Sequence, residues 1–156
     1  MGRRRAAWAG LDDLDADIGL LQEVARPNEL RMLGMVPDAA DRWETALVGG
    51  RGPWRTAIAP LSDRVELSPR VTATFETATS ASDWVVSRDG SVTAADVVND
   101  GHRTCTAVSV CAAWEMAAHR GYADASAHRI LSDLSMLLGQ RDNRLIMAGD
   151  WNLLRG

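Results

Sequence analysis

An α/β fold is predicted, on three observations. Short apolar runs bounded by polar or turn residues recur along the chain, at 18–24, 54–61 and 144–148. Two Asp-Gly pairs, Asp89-Gly90 and Asp100-Gly101, punctuate the stretch from Trp84 to Trp114. That pattern suits antiparallel strands joined by tight turns. Between the meander and the last run, Ala127, Ile130, Leu131, Leu134, Leu137 and Leu138 repeat at helical spacing.

Taken in order, residues 3–15 suit a helix, with Ala7, Leu11 and Leu14 on one face and an Asp-rich close at 12–17. Residues 18–24 then read as a buried strand that ends on Gln22-Glu23. Pro27 and Pro37 bracket a further helix carrying Leu30, Met32 and Leu33, and residues 49–53 form a Gly-rich loop. Residues 54–61 are a short strand, 71–75 a weaker one, and 77–82 a small polar loop. The meander follows as three strands, at 85–87, 91–98 and 103–111. In the last of these Thr106, Val108 and Val110 face one way, and Cys105, Ala107, Ser109 and Cys111 the other. The helix at 124–138 takes Asp124 or Ser126 as its cap and Gly139 as its C′ residue. A strand at 144–148 delivers Gly149-Asp150-Trp151-Asn152.

With 156 residues, 46% of them apolar, the chain is sized for one domain or a piece of a larger one, and disorder throughout is excluded. A net charge of −4 argues against a protein that coats DNA by counterion release. All 17 basic residues are arginine, so no reaction here uses a lysine amine. No run approaches the ~18 apolar residues of a membrane span. Arg3-Arg4-Arg5 resembles the start of a signal peptide, but Asp12 and Asp13 interrupt the apolar stretch that would follow. Cys105 and Cys111 lie six apart on one strand, too far apart for a disulfide, and nothing matches a zinc motif. A reduced, cytoplasmic setting is expected.

Chemistry points to two strand ends, Gln22-Glu23 and Gly149-Asp150-Trp151-Asn152. In layered α/β folds ligands are met at strand ends. Two carboxylates and an amide there suit a hard cation such as Mg²⁺, which takes oxygen ligands and often only one or two carboxylates. Glu23, Asp150 and Asn152 are therefore expected to converge at one end of the same sheet.

These residues also carry a resemblance. Leu14 to Val24, LDADIGLLQEV, is similar to a segment of the endonuclease/exonuclease/phosphatase superfamily, and Arg144 to Asn152, RLIMAGDWN, resembles its later GDxN segment. Trp54-Arg55-Thr56-Ala57-Ile58 and Ala107-Val108-Ser109-Val110 resemble two strands between them. Gly121 to Leu134 resembles the helix before GDxN. The resemblance implies part of a layered α/β/β/α sandwich with mainly antiparallel or mixed sheet. It also implies metal-dependent hydrolysis of phosphate esters or phosphodiesters, with Mg²⁺ or Mn²⁺ as cofactor. On that pattern Glu23 is the metal ligand, Asp150 orients or deprotonates the attacking water, and Asn152 hydrogen-bonds the scissile phosphate. Cys111 stands where many members carry tyrosine.

The family's first strand and its later half, with a terminal Asp-His pair, have no counterpart in residues 1–156. The resemblance thus implies a partial domain, with negligible turnover of generic phosphodiesters by this chain alone. The partners implied are a phosphate-ester substrate, nucleic acid among the choices, and self-association or a complementing second half. The last follows because helices at 3–15 and 124–138 cover one face of the sheet only, leaving residues such as Val108, Val110, Leu145 and Met147 in need of cover. The rival reading is a non-catalytic fragment or pseudoenzyme that works through association with another chain. His102, His119 and His128 are assigned to turns, packing or solvent. The six tryptophans are assigned to core and edge packing, and the arginine triplet to a solvated helix face.

Overall fold

A computed structural model describes residues 10–11, 13–24, 46–50, 55–112, 126–141 and 144–152. The described part is mixed α/β and rich in strand. Its elements are β1 (Ile18–Gln22), β2 (Leu47–Val48), β3 (Thr56–Pro60), β4 (Glu66–Arg70), β5 (Thr72–Ala73), β6 (Trp84–Val85), β7 (Val92–Asn99), β8 (His102–Cys111), α1 (Ala127–Asp133), α2 (Ser135–Leu138) and β9 (Leu145–Asp150). They form a three-stranded antiparallel sheet ordered β1-β3-β2 and a four-stranded mixed sheet ordered β4-β7-β8-β9. A small parallel pair, β5-β6, lies beside them.

The β7–β8 hairpin forms where expected. Asp100 and Gly101 both hold positive φ, 49° and 75°, as a tight turn between right-twisted strands requires. The rest of the expected meander does not form. β6 leaves it to pair with β5, and the place beside β7 is taken by β4, which the sequence hid. The reason lies at Gly90. Its carbonyl accepts from the Thr56 backbone N–H at 3.0 Å, so the segment between β6 and β7 is tied to the start of β3 rather than closed as a hairpin turn. β4 carries Pro69, which an edge strand tolerates because one side of its backbone needs no ladder partner.

The four-stranded sheet separates two cores. On one face, Val92 and Ala94 of β7 and Val108 and Val110 of β8 pack with Ala127, Ile130, Leu134 and Leu137 of the helices. On the other, Ala95, Val97 and Ala107 meet Ile58, with Ile18, Leu20 and Leu47 closing over them. Strands buried on both faces read as near-continuous apolar runs, as β7 does. Val108 and Val110 are fully covered and Leu145 and Met147 partly so, all on the helix side, contrary to the expectation that they lie on a face the helices leave open. The three-stranded sheet covers the opposite face, over Ala95, Val97 and Ala107. What stays open is on β9, where Ile146 is 50% exposed and Ala148 is exposed.

The long helix is two short ones, broken at Leu134, whose N–H bonds to Ile130 O. Ser126 caps the first by accepting from Arg129 N. Gly139 ends the second in right-handed conformation, φ −78°, and so makes no left-handed C′ cap. Of the helix at 3–15, residues 13 and 14 lie in a turn and a bend, and most of the rest falls outside the described residues. So do the helix between Pro27 and Pro37, residues 51–54, and His119. Among the described residues no helix is long and apolar enough to cross a membrane. Both cysteines are free thiols.

Candidate functional site

The two predicted strand ends belong to different sheets. Glu23 follows β1 in the three-stranded sheet, whereas Asp150 ends β9 in the four-stranded one. The expectation of a single sheet is corrected accordingly. A cross-sheet clamp joins β1 to β8, the strand beside β9. The Gln22 Nε2 donates to Leu20 O at 3.0 Å and to Ser109 Oγ at 3.1 Å, and Ser109 Oγ donates to Leu21 O at 2.9 Å. Ser109 stands in register with Ala148, and two residues further on Cys111 stands opposite Asp150. Because β8 and β9 run parallel, their C-terminal ends lie together, and the clamp sets the end of β1 over them.

The loop after β9 is tightly specified. Asp150 O accepts from Ala112 N at 2.7 Å, Asp150 Oδ1 accepts from Asn152 N at 3.0 Å, and Asn152 Nδ2 donates to Ala112 O at 2.7 Å. The second bond is the side chain-to-backbone turn that aspartate favours. The third uses one of two amide protons and leaves the other pointing elsewhere. Gly149 is required here, since a Cβ would collide with the Val110 carbonyl. Glu23 and Asp150 are exposed, and Asn152 is half-buried.

Backbone conformation marks the same residues. Among the described residues, three that are not glycine hold positive φ: Asp100 in the hairpin turn, Glu23 at 52° and Asn152 at 46°. Asparagine adopts this region readily and glutamate does so at a cost. Backbone held in such conformations gathers at functional sites.

Two residues passed over in the sequence also belong here. Ser109 completes the clamp, and its only signal was a hydroxyl inside an apolar strand. Arg55 is 3% exposed and gives its carbonyl to Val24 N at 3.3 Å, which sets it across from Glu23 where β1 ends and β3 begins. Cys111, in the position opposite Asp150, is fully buried. His102 and His128 are exposed.

Among the described residues no group of three or more His, Cys, Asp or Glu could hold a metal. A cage made wholly of side chains is thus not what this end offers. Its donors are carboxylate and amide oxygens, which fit a hard cation that keeps most of its shell for water and phosphate oxygens. A separate cleft of about 900 Å³ lies by β5 and β6, lined in part by Arg70, Thr74, Asp83, Trp84 and Met136. None of the predicted residues reaches it. Asp83 is engaged there in holding its own loop, accepting from the N–H groups of Thr79 and Ser80, and these bonds keep its carboxyl below the ordinary value. No protein-family model matches the chain, and no curated protein matches it.

Proposed function

We propose that Glu23, Asp150 and Asn152 are the chain's share of a metal-dependent site for hydrolysing phosphate esters or phosphodiesters, built on part of a layered α/β/β/α sandwich. The observation that carries this reading is the Gln22–Ser109 clamp, which sets the end of β1 over the ends of β8 and β9. Mg²⁺ or Mn²⁺, when bound, would supply charge to a phosphoryl oxygen. Glu23 would hold the ion as a single carboxylate ligand. Asp150 keeps Oδ1 on the Asn152 N–H, so its second oxygen is the one to orient and accept a proton from water. Asn152, steadied through Ala112 O, would offer its remaining amide proton to a phosphate oxygen.

The test is Mn²⁺ binding followed by the electron paramagnetic resonance of the ion. Wild-type chain should bind it, and Glu23→Gln should weaken binding by at least about tenfold, the size seen when support for a metal site is lost. Equal binding by both would overturn the reading. Any Mg²⁺-dependent phosphodiester turnover should fall with both Glu23→Ala and Asp150→Ala. The rival reading, action through association with another chain, gains from the open strand β9.

A further inference from the structure

β9 is the outermost strand of its sheet among the described residues, and its exposed side chains form a self-complementary row. The carbonyl oxygens of Arg144 and Asp150 point inward, to Thr106 N and Ala112 N at 2.7 Å each. In a β-strand the N–H and C=O of one residue point the same way and alternate along the chain. The even-numbered residues therefore serve β8, and Leu145, Met147 and Gly149 turn their backbone groups to the edge on which no described strand lies. The sequence from Leu145 to Gly149 holds no charge and no proline, the usual devices that stop such an edge from pairing. Arg144, Ile146, Ala148 and Asp150 are all exposed.

We infer that β9 pairs with β9 of a second copy of this chain, antiparallel and centred on Met147. The choice of register follows from charge. Antiparallel pairing needs outward-facing residues opposite one another, which allows centres at successive positions along the strand. Centring on Met147 sets Met147 against its own copy, Leu145 against Gly149 and Ile146 against Ala148. It also sets Arg144 against Asp150, twice, by the two-fold symmetry. Centring on Ile146 would put Arg144 opposite Ala148, and centring on Ala148 would put Ile146 opposite Asp150. Only the Met147 register pairs both charges and covers both exposed apolar side chains. Opposite charges directly across two strands stabilise the pair, and like charges oppose it. The assembly is a continuous sheet of eight strands that brings Arg144 of the second copy beside Asp150. The inference rests on β9 alone and holds whether or not Asp150 takes part in phosphate chemistry.

The experiment is light scattering during size-exclusion chromatography of the full chain over a concentration series. Wild type should elute at twice the chain mass. Arg144→Asp and Asp150→Arg should each weaken the dimer at least about tenfold, because each turns two attractive pairs into two repulsive ones. The double variant carrying both changes should recover dimerisation to within about threefold of wild type, since it swaps the charges without changing their sum. Both residues are exposed; Asp150→Arg also removes the turn bond from Asn152 N, so recovery in the double variant, which lacks that bond too, assigns the effect to strand pairing. As a check that needs no variant, the amides of Leu145, Met147 and Gly149 should gain protection from hydrogen exchange as wild-type concentration rises. A wild-type monomer at high concentration, single variants that dimerise as well as wild type, or a double variant that stays monomeric would each overturn the inference.

Discussion

The two faces of β8 are held by different physics. Toward the helices the strand offers Val108 and Val110 to Ile130, Leu134 and Leu137, a dry aliphatic contact whose members are almost wholly buried. Toward the three-stranded sheet it offers Ala107, Ser109 and Cys111, small side chains that let the backbones of the two sheets come close. There the sheets are joined by hydroxyl and amide bonds. Besides the Gln22–Ser109 clamp, Thr56 Oγ1 and Thr93 Oγ1 lie 2.7 Å apart. Their two hydroxyl protons are shared among that contact, Thr56 O at 3.0 Å from Thr93 Oγ1 and Gly90 O at 3.2 Å from Thr56 Oγ1, while Thr93 Oγ1 accepts from Gly49 N at 3.0 Å. Burial by volume suffices to hold a helix on a sheet. Fixing the relative position of two strand ends calls for directional bonds.

The largest effect is expected on the aliphatic face. Ile130→Ala removes a fully buried side chain and should cost about 2–5 kcal/mol in urea unfolding, with the slope of the transition unchanged. On the polar face, Thr93→Val keeps the volume but strips buried partners from Thr56 and Gly49, and should cost about 1–3 kcal/mol. Thr56→Val with Thr93→Val should cost less than the sum of the single changes, because both partners then leave together. Additivity in that cycle would mean the two hydroxyls act independently and would break the comparison.

A smaller effect belongs to the far end of the sheet. Burial pushes the Asp96 carboxyl up. The hydrogen bonds from Arg70 and Thr106, with the charges of Arg70 and Arg103, outweigh it and hold the group below its ordinary value of 3.8. A depressed folded value means that this stabilisation is present above the unfolded value and is lost as pH falls through the folded one. The difference in stability between wild type and Asp96→Asn should thus be steady at neutral pH, within about 1 kcal/mol, and shrink below about pH 4. A difference that does not change with pH would assign the effect of Asp96 to packing.

The same contrast explains what could be read from the sequence. The aliphatic face was legible because Ile130, Leu134 and Leu137 recur at helical spacing and Val108 and Val110 alternate, so each position announces its own side. The break at Leu134 was not, since the apolar period continues through it. The polar face was illegible because its bonds join residues 37 positions apart at Thr56–Thr93 and 87 apart at Gln22–Ser109, and no local pattern pairs them. β4 was hidden by Pro69, which argues against a strand unless its place at an edge is known. For the site, Glu23, Asp150 and Asn152 were legible as polar groups after apolar runs. That they stand on two facing sheets was not, because strand order is a long-range property.

The central claim is that Glu23 and Asp150 share one metal site across the two sheets. The most direct measurement is nuclear magnetic resonance of ¹⁵N-labelled chain with a small fraction of an equivalent of Mn²⁺, whose unpaired electrons broaden nearby amides. The amides of Glu23 and Val24 should broaden together with those of Asp150 and Asn152, while Asp100 and Gly101 at the opposite end of β8 stay sharp, and Glu23→Gln should abolish the broadening at both strand ends. Broadening confined to one sheet, or unchanged in Glu23→Gln, would contradict a shared site.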